Sequence, residues 1–133
     1  AVGLYGMSTY NFNLDTEANK RFLELDKKKG GRLWFDNLDA MGYVAAQPVL
    51  IALKKVKGNI ENKEAFLNAL RGAKWESPAG PLWFDQRHQN ILVNLIIGRV
   101  QKLKGPIGEY QNEIIRILKN VQDPWWLEHP EGK

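Results

Sequence analysis

The most constraining feature of this chain is the run ILVNLIIGRV at positions 91–100, apolar at both odd and even positions. A strand with one face in water alternates apolar and polar residues, so a run without alternation describes a strand covered on both faces. A doubly covered sheet needs helices on each side, and the preceding sequence offers three.

Asp15-Thr16-Glu17 can cap and acidify a helix start, and Ala18, Phe22 and Leu25 recur on one face. Lys27-Lys28-Lys29 and Gly30-Gly31 then close it, since cations suit the negative helix end and glycine suits a left-handed residue. This predicts a helix over 16–29. A second helix follows from Leu38, Met41, Ala45, Val49, Ala52, Leu53 and Val56 at helical spacing. Tyr43, Val44, Leu50 and Ile51 make its other sides apolar too, which predicts deep burial. Pro48 removes the hydrogen bond to Val44 and predicts a kink or two shorter helices. A third helix has Asn62 as its cap, Phe66, Ala69 and Leu70 on one face and Gly72 at its end.

The remaining stretches read as strands and turns. Residues 2–7 suit a first strand. Leu82-Trp83-Phe84 is a short strand between the turn Ser77-Pro78-Ala79-Gly80-Pro81 and the polar run Asp85-Gln86-Arg87-His88-Gln89-Asn90. KLKGPIGEYQ at 102–111 reads as a turn, EIIRIL at 113–118 as a strand, and 120–133 as a loop-like tail. The fold class is α/β in the order strand, three helices, three strands. Three consecutive helices followed by three strands cannot supply the crossovers of a doubly wound sheet, so something is expected to be missing.

Chemistry is bounded mostly by exclusion. A chain of 133 residues, 44% hydrophobic, can bury a core as one domain, and no stretch approaches the roughly 18 apolar residues of a membrane span. The opening AVGLYGMSTY lacks a basic region followed by a long apolar one, so an export signal is either absent or removed before the numbering begins. Zero cysteines exclude disulfides, thiolate zinc sites and cysteine nucleophiles. The net charge of +4 comes from scattered lysines with one helix-end cluster, not from the broad basic stripe of a nucleic-acid surface. His88 and His129 form no metal-ligand pattern, Ser8 and Ser77 lie in no nucleophile elbow, and Gly3 and Gly6 lack the third glycine and the helix of a nucleotide cradle. No cofactor is therefore expected. Asp36 and Asp39, and Glu61 and Glu64, have i, i+3 spacing, and the first pair suits helix capping better than acid–base work. Tryptophans 34, 75 and 83 read as packing, and Trp125-Trp126 as a contact or clasp.

Residues 42–90 resemble the C-terminal part of the type I periplasmic solute-binding proteins of ABC transporters, the leucine/isoleucine/valine-binding class. The resemblance rests on Gly42-Tyr43-Val44-Ala45-Ala46-Gln47 with Ala52-Leu53, on Glu64-Ala65 and Ala69-Leu70, and on Ser77-Pro78-Ala79-Gly80-Pro81 before Phe84-Asp85. Upstream it includes Asp15, Ala18, Asn19 and Phe22, and downstream Val121, Asp123, Pro124 and Trp125. It implies a C-terminal fragment of a two-lobed α/β fold. Residues 1–9 and 98–101 would be interlobe crossings, 10–97 part of the first lobe, and 102–133 the C-terminal strand and tail of the second.

The implied function is that of the extracytoplasmic solute-binding component of an ABC importer, periplasmic or membrane-anchored, with no enzymatic step. Hinge closure would capture an amino acid or a related small polar or aromatic compound and present it to the permease subunits. By the same resemblance the cleft side chains are Asp39 and Tyr10 first, then Leu38, Met41 and Ser8, with Met7 beside them; Leu38 and Met41 also fit a helix core. Since the family's chain is far longer, expected partners include the missing N-terminal part and a second copy, met through apolar surface such as 91–100. The alternatives are a complete small α/β protein-interaction domain working through Trp125-Trp126, and a small enzyme using Asp36 and Asp39.

Overall fold

A computed structural model describes residues 2–30, 37–105, 108–122 and 124–129. The elements in chain order are β1 (Tyr5–Ser8), α1 (Glu17–Lys28), α2 (Asn37–Lys55), α3 (Lys63–Arg71), β2 (Lys74–Ser77), β3 (Gly80–Phe84), β4 (Ile91–Gly105), β5 (Gly108–Val121) and α4 (Pro124–Glu128).

The helix boundaries follow from their caps. Thr16 accepts a hydrogen bond from the Asn19 amide at the start of α1, and Asn62 accepts one from the Ala65 amide at the start of α3. Beyond α1, Gly30 takes the left-handed conformation with φ of +75°. Pro48 does not divide α2, which runs as a single helix. Nor is α2 buried all round. Ala40, Val44, Pro48 and Ala52, four residues apart, form its buried face, while Leu38, Gly42, Ala45, Ala46 and Val49 are exposed.

Every strand pairing is antiparallel, and β4 is the spine. β3 pairs with its first residues, β1 with Ile96 to Arg99, and β5 along most of its length. The run at 91–100 therefore lies among antiparallel neighbours, and its two faces are not equally covered. Asn94, Ile96 and Gly98 are buried, and the alternate residues are half-buried. Its covering by β1, β3 and β5 also leaves none of these residues exposed, so the expected sticky surface lies elsewhere.

Three further expectations change. The stretch 74–77 is a strand, with Trp75 and Ser77 facing in and Lys74 and Glu76 facing out. The turn expected over 102–111 is mostly strand, because β4 continues to Gly105 and β5 begins at Gly108. The tail contains a short helix whose first residue is Pro124, a position where proline's missing amide has no role.

Two apolar clusters make the core. One joins Tyr10, Leu14, Phe22, Ala40, Ala79 and Ile96, and the other Val44, Ala73, Trp75 and Leu82. Met41 packs against both. The heavy punctuation before β3 now has a purpose. Ser77 Oγ donates to the Gly80 carbonyl at 2.7 Å and accepts from the Ala79 amide at 3.1 Å, closing the hairpin between β2 and β3. Asn94 in β4 then donates to the Ala79 carbonyl and accepts from the Asn120 amide, both at 3.1 Å, stitching that hairpin to β5.

Candidate functional site

The candidate cleft residues fall at two places, the exit of β1 and the first turns of α2. The two are joined through Thr9, whose hydroxyl donates to Met41 Sδ at 3.8 Å. Ser8 is half-buried, and its Oγ accepts from the Tyr10 amide at 3.3 Å. Leu38 is 76% exposed and Asp39 is exposed on the first turn of α2. Met7, 66% exposed, adds a second apolar side chain on the β1 side.

Tyr10 and Met41 are placed differently. Tyr10 is 4% exposed, packs edge-on against Phe22 and donates its hydroxyl to Asn19 Oδ1 at 2.9 Å. Burial, with the nearby Asp26 charge adding to it, pushes its phenol above the ordinary range. Met41 bridges the two core clusters. The structure thus leaves Met7, Leu38 and Asp39 exposed and Ser8 half-buried, and turns Tyr10 and Met41 inward. Asp36 and Trp34 lie outside the described residues.

Where β1, β4 and β5 run side by side, Arg99 lies 6.0 Å from the Tyr5 ring centre and 3.5 Å from the Glu113 carboxylate, which also accepts from Gln101 at 3.0 Å. Asn11 Nδ2 donates to the Asn112 carbonyl at 3.0 Å and Asn13 Nδ2 to Gln111 Oε1 at 3.2 Å, so the loop after β1 is fastened across β5. Sequence reasoning singled out none of these asparagines, although Asn11 and Asn13, two in three residues shortly before a helix, are a recognisable turn signal.

A cavity of about 450 Å³ lies elsewhere, toward the start of β4, lined by Asp85, Asn90, Leu92, Leu95, Val121 and Gln122 among others. None of the candidate cleft residues lines it. Asp85 organises its polar end. It accepts from the Arg87 amide at 3.1 Å and from Gln122 Nε2 at 3.2 Å, and lies 2.7 Å from His88 Nδ1. The Arg87 amide and then the His88 ring hold its carboxyl below the usual carboxylate range. A lowered folded value stabilises the chain above the unfolded pKa of 3.8 and loses that contribution as pH falls through the folded value. Asp85→Asn is expected to lower the urea midpoint at pH 7 and to flatten the loss of stability below pH 3.8. Denaturation series from neutral to strongly acidic pH check this, and identical slopes for the two proteins would remove the role given to Asp85.

Trp125 stacks on His129 with ring centres 4.6 Å apart, and His129 Nδ1 is 3.0 Å from the Trp125 carbonyl. Among the described residues no group of three or more His, Cys, Asp or Glu could hold a metal ion, and no helix is long and apolar enough to cross a membrane.

Comparison with known proteins adds to this geometry. The sequence model of the periplasmic binding protein family matches residues 1–105. A curated protein, Leu/Ile/Val-binding protein homolog 6 of Brucella abortus, is 24% identical over 124 residues, which is 93% of this chain and 31% of that protein. The solute binding protein of an ABC transporter from Rhodopseudomonas palustris BisB5, solved with 3,4-dihydroxybenzoic acid, is 30% identical with a TM-score of 0.80, over 94% of this chain and 33% of that one. Its counterpart from Rhodopseudomonas palustris HaA2, solved with p-hydroxybenzoic acid, is 25% identical with a TM-score of 0.82, over 96% of this chain and 34% of that one. The chain spans about a third of the length of these relatives.

Proposed function

The chain belongs to the periplasmic binding protein family, and from that premise we propose that it works as part of the solute-binding component of an ABC importer, outside the cytoplasm, with a small carboxylic acid as solute. The observation that carries this is the junction of β1 and α2. Exposed apolar side chains, Met7 and Leu38, stand there with the polar Ser8 and Asp39. An apolar wall with few polar groups suits a small solute with an apolar body, and the Asp39 carboxylate on the first turn of α2 suits a donor carried by that solute, a hydroxyl or an ammonium. Hydroxybenzoates, bound by two of the relatives, and branched-chain amino acids, named for another, share that chemistry.

In this reading residues 1–9 and 98–101 are crossings, 10–97 belong to the first lobe, and 102–133 are the strand and tail beyond the second crossing. Within it, Val121 pairs with Val93 and Gln122 bonds Asp85, so the end of the chain's last strand stays beside β4. Closure of the two lobes shifts the open–closed balance by as much as the solute prefers the closed form, and the closed form is what the permease subunits receive. The protein makes and breaks no bonds. The wall in this chain is half a cleft, completed by the rest of the two-lobed fold.

Half a cleft predicts weak binding, with a Kd of about 1 mM. Methyl and amide NMR of the 15.2 kDa chain, titrated with 4-hydroxybenzoate and separately with leucine, is expected to move signals of Met7, Ser8, Leu38 and Asp39. Shifts confined to the cavity of Leu92, Leu95 and Val121, or no shifts with either solute, would defeat the proposal.

A further inference from the structure

We infer that Asn11 is a positioning residue of the closing movement, clamping β1, β4 and β5 into one block at the level of 98–101, so that the bend between lobes falls farther along β4, beside Lys102. This rests on the two-lobed reading, which places a crossing at 98–101, and adds to it where the crossing strands give and where they hold.

The contacts that make the block all lie within this chain. Val100 donates its amide to the Leu4 carbonyl at 2.9 Å and accepts the Gly3 amide on its own carbonyl at 2.8 Å. A strand residue turns both backbone groups to one side, so Val100 faces the β1 side. Its partner across the ladder, Asn112, then belongs to a pair without backbone hydrogen bonds, and the backbone groups of Asn112 point to the far side of β5. Asn11 holds that far side, its Nδ2 donating to the Asn112 carbonyl at 3.0 Å. One residue back, Arg99 reaches both its register partners, Tyr5 on β1 and Glu113 on β5. A Cβ added at Gly98 would lie 3.3 Å from the Glu113 carbonyl oxygen and 3.4 Å from Asn112 Cβ, so β4 and β5 also meet closely here.

The turn after β1 sets Asn11 for this contact. Asn11 is 7% exposed, its Oδ1 accepts from the Asn13 amide at 2.9 Å, and its carbonyl accepts from the Leu14 amide at 3.0 Å. Asn13 adds a second tie to β5 through Gln111, which is buried. The register of β4 and β5 shifts between Ile97 and Gly98, yet β1 pairs with both of these residues and spans the irregularity. The next shift lies between Lys102 and Gly105, past the last β1 contact, with Tyr110 opposite Lys102 and largely exposed. A register shift leaves ladder bonds unmade and lets paired strands bend, so a ribbon clamped at its base gives there.

Amide hydrogen exchange of the 133-residue chain locates the bend with no solute present, so a failed solute titration bears on the proposed function alone. Arg99, Val100 and Glu113 are expected to exchange within about tenfold of Ile96, and protection to drop about a hundredfold or more from Lys102 outward. Asn11→Asp keeps an oxygen for the Asn13 amide and removes the donor to Asn112. It is expected to speed exchange at Arg99, Val100 and Glu113 about tenfold or more, to move the drop back to Gly98, and to leave Trp75 and Leu82 in the β2–β3 hairpin unchanged. Asn11→Ser, whose hydroxyl can still cap the turn but is too short to reach Asn112, is expected to do the same and serves if the charge of Asn11→Asp unfolds the chain. A drop already at Gly98 in the parent chain would overturn the inference. So would variants that leave the drop at Lys102, or that speed exchange in the β2–β3 hairpin equally, the mark of a merely structural role.

Discussion

Replacing Asn19 by leucine is expected to lower unfolding stability by about 5 kcal/mol, close to the whole margin of a small domain. Asn19 is 1% exposed and its amide is fully occupied. Nδ2 donates to the Phe12 carbonyl at 2.9 Å and to the Leu14 carbonyl at 2.8 Å, and Oδ1 accepts from Tyr10 at 2.9 Å. Leucine is about the same size and fills the space, so the loss is one of polar partners. The Phe12 carbonyl and the buried phenol lose their partners, each unsatisfied group costing about 1–3 kcal/mol, while the Leu14 carbonyl loses one bond and keeps that from the Thr16 amide at 3.0 Å. Tyr10→Phe removes only one bond of the three and should cost about 1–2 kcal/mol. Urea unfolding of both variants checks the ratio, and equal losses would show that Asn19 is not the hub of the loop between β1 and α1.

The same pair predicts behaviour in base. Burial raises the folded Tyr10 pKa above its ordinary 10.0, so its contribution is complete below pH 10.0 and is lost as pH climbs toward the raised value. Tyr10→Phe should remove that part of the alkaline decline.

These residues also show where sequence was informative. Capping is local chemistry, and Thr16, Asn62 and Gly72 act where their side chains and spacing indicated. Apolar content gave a less secure guide. In α2 and in the run at 91–100 it was read as burial on all sides, yet α2 has an open apolar face and β4 is covered mainly by neighbouring strands. A sequence reports that a face is apolar, while the structure reports whether this chain supplies the cover. The β4–β5 hairpin failed in the opposite direction. Lys102 and Tyr110, the latter 58% exposed, pair across a ribbon with little to bury, so its residues lack the alternation that marks a half-buried strand. At the junction of β1 and α2, Leu38 and Asp39 reach the surface because they begin a helix. Tyr10 turns inward because Asn19 satisfies its hydroxyl, a pairing that no local spacing encodes.

Asn94 is the one polar side chain in the first seven residues of 91–100, a signal the reading of that run as apolar passed over, and its neighbour Gly80 supplies the sharpest test of the fold. Gly80 holds φ at +100°, and a Cβ added there would lie 2.7 Å from Asn94 Nδ2. Gly80→Ala therefore carries both backbone strain and a clash with a side chain already committed to the Ala79 carbonyl and the Asn120 amide. The expected loss is about 3 kcal/mol. Asn94→Ala should cost about 3 kcal/mol by itself, through two backbone groups left unpaired. In the double variant the clash is absent and the strain remains, so the sum is expected to fall short of additivity by about 1 kcal/mol or more. Strict additivity would mean that the turn and the strand do not constrain each other, and that Gly80 is required by its backbone angle alone. A shortfall locates the coupling between the β2–β3 hairpin and β4 in the contact of these two residues, the point where the hairpin is fastened to the sheet's central strand.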